Sequence, residues 1–306
     1  MTPPTRIDAG KGGDRVPGGP ATTPDTTTVE TADGVRFTVR WLAAADPAAP
    51  VVLILPAMAM KARNYQALAK ALHATGVSVA TCDLRAHGEA EPAFGEHTDF
   101  GYREMLEIDL PAIVSTVQGR FPQAPLHLFG HSLGGQLALL FAAAEPERVA
   151  GVTVIGTGTV FWWAFGPRRW FEALSQIQWI GLISRVKGHW PGGVLIPAPM
   201  PGGVMVDWSI HSLTSYYRPR GTTRRYNTLL ANMTVPVLAI SLSEDVLGPK
   251  SNVDFLVSRM PSAPVTQWHI DENSTVENRD HFLWLKDSPA IATAVSRWIT
   301  TGTAPA

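Results

Sequence analysis

Cysteine is nearly absent from this 306-residue chain, in which Cys82 is the only example. A single cysteine excludes an intramolecular disulfide and a cysteine-rich metal site. A strong excess of one charge is also missing, because the formal net charge is −1. This argues against the basic field that holds nucleic acid phosphates. The sequence shows no metal-ligand cluster, dinucleotide fingerprint or phosphate-binding loop, so it implies no metal and no cofactor.

Long apolar runs are missing as well. No run reaches the roughly 20 apolar residues that span a bilayer, and the N-terminus lacks the apolar stretch of a secretory signal. We therefore expect a cytoplasmic protein without stable membrane insertion. The chain is nevertheless 45% apolar and 17% charged, a composition typical of a globular protein with a sizeable core. The oligomeric state is not readable from these features.

Short apolar runs alternate with helical patterns along most of the chain. Two predicted strands flank a hairpin signal at Asp33-Gly34, and strand-helix units follow. The predicted strands are 27–30, 35–41, 51–55, 77–84, 126–129 and 152–155, and the predicted helices are 65–75, 103–121 and 134–144. Continuous apolar strands alternating with helices predict an α/β fold, in which helices cover both faces of a mostly parallel, doubly wound sheet.

The alternation stops between residues 158 and 233. It resumes with predicted strands at 235–242 and 265–270 and predicted helices at 251–260 and 289–300. We interpret 158–233 as a cap inserted between two parts of an α/β core, 27–157 and 234–306, preceded by a disordered tail, 1–26. The cap holds six of the ten tryptophans, and aromatic residues at such spacing usually belong to a core. Its eight basic and two acidic residues give it a net charge of +6.

The segment Gly130-His131-Ser132-Leu133-Gly134 lies between a predicted strand and a predicted helix. It is a Gly-x-Ser-x-Gly pattern, whose tight turn presents the serine hydroxyl above a sheet, at a helix N-terminus that stabilises negative charge. A glycine-rich helix cap without chemistry is the alternative, and the strand-turn-helix context argues against it. Ser132 is therefore the candidate nucleophile.

A serine hydroxyl needs a base to accept its proton, and with this type of turn the partners follow in the order Ser, acid, His. His281 lies between the last predicted strand and the last helix, at the sheet end where active sites form. His269 lies inside a predicted strand, so His281 is the preferred base. The acid belongs on the loop after strand 235–242, where Asp245 is preferred and Glu244 is the fallback.

Backbone N–H groups must also stabilise the oxyanion that forms in acyl transfer. Leu133 supplies one by its position after the serine, and we expect Met58, in the turn after strand 51–55, to supply the second. The side chains that we expect to line the substrate pocket are His131, Met60, Trp162, Trp163 and Phe282.

Together these residues resemble the α/β-hydrolase superfamily, in its serine-nucleophile branch. The chain looks most like a bacterial group of predicted α/β-hydrolases of undefined substrate, over roughly residues 28–299. The serine motif carries the likeness, with segments 55–65, 83–88, 236–241 and 280–282. Many members have His-Gly where this chain has Pro56-Ala57, which bears on the Met58 assignment. The loop 83–88 also departs from the family pattern and is expected to be structural, although Arg85 and His87 could instead line the pocket mouth.

The resemblance implies acyl chemistry, because relatives that hydrolyse epoxides or haloalkanes use an aspartate nucleophile. The leading hypothesis is hydrolysis of a carboxylic ester or thioester through an acyl-enzyme on Ser132. Acyl transfer by the same residues and a non-catalytic ligand-binding protein are the alternatives, and a membrane-acting lipase ranks below them. The basic cap suggests a small acyl substrate that is apolar with an anionic group. A solvated protein surface explains that charge equally well.

Overall fold

The computed structural model describes residues 25–95, 99–193 and 195–303. Residues 1–24 of the predicted tail lie outside the described residues. The first strand already begins at Asp25, within the range predicted for the tail. Across the described ranges, no helix combines the length and the apolar character that crossing a membrane requires.

An eight-stranded sheet forms the centre of the molecule. The strands, numbered along the chain, are β1 Asp25–Glu30, β2 Arg36–Leu42, β3 Val51–Leu55, β4 Ser78–Thr81, β5 Leu126–His131, β6 Gly151–Ile155, β7 His189–Trp190, β8 Met200–Pro201, β9 Val237–Leu242 and β10 Val265–Ile270. Strands β7 and β8 form a small sheet of their own. Their order in the large sheet is β1-β2-β4-β3-β5-β6-β9-β10. The six from β4 to β10 are parallel, whereas β1 and β2 pair antiparallel.

The central strands have hydrophobic cores on both of their faces. Along β3, Val51, Leu53 and Leu55 belong to one core, and Val52 and Ile54 belong to the other. Successive side chains of a strand point to opposite faces, so a continuous apolar run indicates that both faces are covered. The predicted α/β fold with a mostly parallel, doubly wound sheet is confirmed.

The helices are α1 Gln66–Ala74, α2 Tyr102–Glu104, α3 Leu110–Arg120, α4 Leu133–Ala144, α5 Trp170–Lys187, α6 Gly202–Thr214, α7 Tyr226–Asn232, α8 Lys250–Val257 and α9 Ser288–Thr301. Helices α1 and α9 contribute to one core, and α3, α4 and α8 contribute to the other. The helix predicted at 103–121 differs from the expectation, because the π-helical turn Met105–Asp109 separates α2 from α3.

The segment 158–233, predicted to be a cap, contains α5, α6, α7 and the short strands β7 and β8. Helices α5 and α6 pack against each other. A Cβ at Gly181 of α5 would lie 2.3 Å from the Ser209 hydroxyl oxygen of α6, so a glycine is needed for the two helices to approach this closely. The identity of this segment as a separate cap stays a prediction.

Candidate active site

A cavity of about 390 Å³ lies between the cap segment and the ends of strands β3, β5 and β6. The core contributes Ser132, Leu133 and His281 to its lining, and the cap segment contributes side chains from α5 and α6, including Ile177 and Trp208. The carboxyl ends of parallel strands are the usual place for ligand sites in such sheets.

Ser132 occupies the turn between β5 and α4 with φ 52° and ψ −115°. A non-glycine residue in this region stores backbone strain, which is characteristic of functional turns. The glycines of the motif allow the close approach. A Cβ at Gly130 would lie 2.3 Å from the Gly135 Cα, and one at Gly134 would lie 2.2 Å from the Leu55 carbonyl oxygen. The motif therefore packs strand, turn and helix more tightly than any other residue type permits.

Asp245 and His281 form a buried pair. The Asp245 Oδ2 lies 2.7 Å from the His281 Nδ1. The other carboxylate oxygen accepts hydrogen bonds from the N–H groups of Leu247 (2.8 Å) and Gly248 (2.7 Å). Both side chains are almost fully buried, so the carboxylate fixes the orientation of the imidazole.

The alternative acid and base lie elsewhere. The carboxylate of Glu244 is exposed and pairs with the Arg279 guanidinium at 2.7 Å. His269 lies on β10, where its Nδ1 is 2.8 Å from the Ser241 hydroxyl. Neither Glu244 nor His269 lines the cavity.

Gly156, directly after β6, is a site residue that sequence reasoning missed. Its φ is +54°, and a Cβ there would lie 3.0 Å from the Asp245 Oδ2 and 3.2 Å from the His281 Nδ1. The glycine thus leaves the space that the buried pair occupies. The sequence signal that could have identified it is its position directly after β6, the strand next to β5, in a loop that has no carboxylate of its own.

Ser132 and His281 line the same cavity. Within the described part of the chain the Ser132 hydroxyl makes no hydrogen bond, so the serine-histidine contact is not formed in this structure. Catalytic hydrogen bonds are often long without substrate and shorten in the substrate complex.

Two backbone N–H groups at the cavity are free to bind an anion. Met58 and Leu133 both line it, and among the described residues neither N–H has a hydrogen-bond acceptor. The N–H of the neighbouring Ala57, by contrast, donates to the Tyr65 hydroxyl at 2.9 Å. The two residues predicted as oxyanion donors are therefore available for that role.

His131, which we expected in the substrate pocket, is instead fully buried behind the cavity. The Trp284 indole N–H faces its Nε2 at 3.5 Å, and the Tyr65 hydroxyl lies 2.7 Å from its Nδ1. Because an indole N–H can only donate, Nε2 accepts and Nδ1–H donates to the tyrosine. Burial, followed by the charge of the adjacent His281, holds the pKa of His131 well below its ordinary value. The ring is therefore a neutral structural link.

Two tryptophans that we expected to line the substrate pocket also lie elsewhere. Trp162 and Trp163 do not line the cavity, and Trp163 is 65% exposed. The 3-10 helix that carries them turns Phe165 toward the cavity instead. Met60 and Phe282 do line it. Sequence reasoning missed further lining side chains that come from distant elements: Gln136, Val160, Phe165, Ile177, Ile196 and Trp208.

The charge of the cap segment does not reach the cavity. Of its eight basic residues, only Arg169 contributes to the lining. Its Nη1 donates to the Val246 carbonyl oxygen at 2.7 Å, and its Nε lies 3.8 Å from the Glu172 carboxylate. Since Glu172 lines the cavity too, the charges balance. The expectation that the basic cap serves an anionic substrate group is not supported by this lining.

The loop 83–88 is structural, as expected. The Arg85 guanidinium lies 2.7 Å from the Asp33 carboxylate and 2.5 Å from that of Asp109. The Asp83 carboxylate lies where a Cβ on Gly88 would be, at 2.2 Å. Arg85 is buried within this ion cluster, and neither it nor His87 lines the cavity.

Comparison with known proteins gives partial matches in sequence. A family model described as serine aminopeptidase, S33 (Hydrolase_4) matches residues 46–189. Monoglyceride lipase of Rattus norvegicus is 34% identical over 92 residues, which cover 30% of this chain and 29% of the lipase. The sn-1-specific diacylglycerol lipase ABHD11 of Mus musculus is 32% identical over 119 residues, covering 38% and 35%. The chain thus matches only about a third of the length of these curated relatives.

Comparison of structures extends over nearly the whole chain. Alpha/beta hydrolase domain-containing protein 10 from mouse superposes with a TM-score of 0.64 at 16% identity, covering 91% of this chain and 100% of that one. Identity at this level reports on the fold alone. The family model, in turn, spans the strained serine turn between β5 and α4. Fold, turn and family match all agree with the α/β-hydrolase fold, and residues 46–189 are similar to the serine aminopeptidase S33 family.

Proposed function

We propose that this protein is a serine hydrolase that cleaves a carboxylic ester or thioester through an acyl-enzyme on Ser132. One observation carries the proposal. The oriented Asp245–His281 pair and the strained Ser132 turn open into a single cavity. The two relatives compared above are lipases, which supports an ester as the bond that is cleaved.

The proposed reaction has two steps. The Nε2 of His281 takes the proton of the Ser132 hydroxyl as its oxygen attacks the acyl carbonyl, and the resulting oxyanion is stabilised by the N–H groups of Leu133 and Met58. The alcohol or thiol leaves with the proton from His281. Water, deprotonated by the same imidazole, then attacks the acyl-enzyme, and the acid is released as the imidazolium returns the proton to the Ser132 oxygen. Asp245 stabilises the imidazolium in both steps.

The lining of the cavity favours a neutral, apolar acyl group. Its walls are mostly aliphatic and aromatic, with Met60, Ile177 and Trp208 among them, and Arg169 is balanced by Glu172. The polar Gln136 is already satisfied by the Tyr102 hydroxyl and the Gly158 carbonyl oxygen. Among its described residues the lining therefore offers no unpaired cation that would recognise an anionic acyl group.

The nucleophile is tested with a fluorophosphonate probe and p-nitrophenyl esters of increasing acyl length. Wild type should be labelled and should release p-nitrophenol. Ser132→Ala should lose labelling completely and about 10⁴-fold or more in kcat. Ser115→Ala, on the exposed side of α3, is the matched control and should retain both. Undiminished labelling of Ser132→Ala would reject the proposal.

The charge preference is tested separately, by comparing a neutral ester with an ester of similar length whose acyl chain ends in a carboxylate. We expect the neutral ester to have the higher kcat/KM, by about tenfold, since the unpaired carboxylate would be buried among apolar side chains. A preference for the anionic ester that weakens with salt would restore the role of the basic cap segment.

A further inference from the structure

The cap helix α5 exposes large apolar side chains to the outside. Phe171, Trp179, Leu182 and Val186 are 66%, 59%, 54% and 77% exposed. With 3.6 residues per turn, their positions fall within an arc of about 80° on the helix surface. They therefore form a row on one side of the helix, in which the exposed Ser175 lies between Phe171 and Trp179.

The opposite face of α5 is apolar as well. Ile177, Ile180, Gly181 and Ser184 are buried, at the side where α5 packs on α6. A helix on the surface of a globular protein normally has one apolar face and one polar face. Packing against the described residues of this chain accounts for only one of the two apolar faces of α5.

Trp163 extends the exposed row beyond the helix. Its ring lies 5.4 Å from that of Trp162, which lies 5.4 Å from that of Trp170, which in turn lies 5.6 Å from that of Phe171. Trp163 itself is 65% exposed. We name the five exposed residues Trp163, Phe171, Trp179, Leu182 and Val186 the outer stripe. Our expectation that the cap tryptophans are core residues is wrong for Trp163 and Trp179.

Basic side chains flank the outer stripe at both ends. Arg168 lies before α5, and Arg185 and Lys187 lie in its last turn; all three are exposed. Among the described residues none of the three has an ion-pair partner. Glu172 is the only acidic residue between positions 163 and 187. The surface around the stripe is therefore positively charged and suits an anionic partner.

We propose that the outer stripe docks on the surface of an anionic lipid bilayer. Tryptophan and phenylalanine favour the boundary between headgroups and acyl chains, and flanking Lys and Arg bind the anionic headgroups. Helix α5 lies along the bilayer surface in this arrangement. Ala173, Gln176 and Ile177 of the same helix line the cavity, so docking brings the wall of the cavity to the lipid. The charge complementarity favours lipid over a second copy of this chain, because two copies would oppose like charges.

The test is flotation of the full chain with vesicles of phosphatidylcholine alone or mixed equally with phosphatidylglycerol. Wild type should float with the mixed vesicles, and high salt should reduce this binding. Trp179→Ser combined with Leu182→Ser should weaken it about tenfold or more. Leu213→Ser, an exposed leucine of α6 outside the stripe, is the matched control and should bind as wild type. Failure of wild type to float, or equal flotation of the double variant, overturns the proposal.

A second variant separates docking from a folding defect. Arg185→Gln combined with Lys187→Gln removes two exposed charges and should reduce binding only to the vesicles that contain phosphatidylglycerol. Unchanged binding of this variant to those vesicles also overturns the proposal. A dimer in sedimentation equilibrium that Trp179→Ser and Leu182→Ser dissociate would identify a second copy as the occupant instead. Ser132→Ala should float as wild type, so this outcome is independent of the proposed chemistry.

Discussion

The imidazole rings of His131 and His281 lie 4.9 Å apart, at an angle of 45°. Only one of them is able to take part in proton transfer, because His131 is sealed from the cavity and burial keeps its pKa low. A neutral ring beside His281 adds no positive charge that would oppose the formation of an imidazolium there. His131 acts instead through its contact with Tyr65, whose hydroxyl also accepts the Ala57 N–H.

Tyr65→Phe removes the hydroxyl that ties the turn after β3 to His131. We expect kcat to fall about tenfold while KM changes little, because the neighbouring Met58 N–H is displaced from the oxyanion. Two buried donors lose their acceptor, and each loss costs about 1–3 kcal/mol of stability. Tyr226→Phe is the control. The buried Tyr226 also has a bound hydroxyl, which donates to the Glu107 carboxylate at 3.1 Å, and its removal should leave kcat unchanged. Equal losses of kcat in both variants would contradict the positioning role.

Asp245→Asn should lower kcat by about 10³-fold to 10⁴-fold with little change in the fold. The amide no longer stabilises the imidazolium of His281, although it fills the same space between the Leu247 and Gly248 amides. Steady-state kinetics on a p-nitrophenyl ester gives the measurement. Glu244→Gln serves as the control, since its carboxylate is exposed and pairs with Arg279, and it should retain the wild-type kcat. The opposite ranking would reassign the acid.

Gly156→Ala should displace the buried pair, because the new methyl group would lie 3.0 Å from the Asp245 Oδ2. We expect at least a tenfold loss of kcat, in addition to about 1–2 kcal/mol of backbone strain from the positive φ. Gly76→Ala carries a similar strain at φ +95° with nothing within 4 Å. The control should therefore be destabilised, as judged by thermal unfolding, yet keep its kcat. If Gly156→Ala keeps its kcat as well, the loop tolerates the methyl group and the steric explanation fails.

His211→Gln should reduce the decrease in the free energy of unfolding that occurs at acidic pH. Burial lowers the pKa of His211 from 6.5 to about 3, so between these values the unfolded chain binds a proton that the folded chain does not. Stability therefore falls as the pH falls from 6.5 toward 3. Between pH 7 and 4.5 we expect the variant to lose about 2 kcal/mol less than wild type, as measured by urea unfolding. Equal losses would show that His211 takes up its proton without unfolding.

The sequence alone indicates the elements whose signals are local. The strand Val51–Leu55 has the bounds that its apolar run predicts. The Ser132 turn lies between a strand and a helix as its glycine spacing predicts. The close contact between Gly130 and Gly135 that requires this spacing is local along the chain. The chain order of serine, acid and histidine, together with the predicted strands, likewise narrows the candidates to His281 and two adjacent carboxylates.

Tertiary structure alone decides which of several adjacent side chains faces the site. Glu244 and Asp245 are neighbours in sequence, but only Asp245 contacts His281, since the Leu247 and Gly248 amides orient its carboxylate inward. Tyr65 meets His131 across 66 positions. Trp163 points outward and Phe165 lines the cavity. Apolar periodicity records how hydrophobic a segment is, whereas the direction of each side chain depends on packing between elements that are distant along the chain.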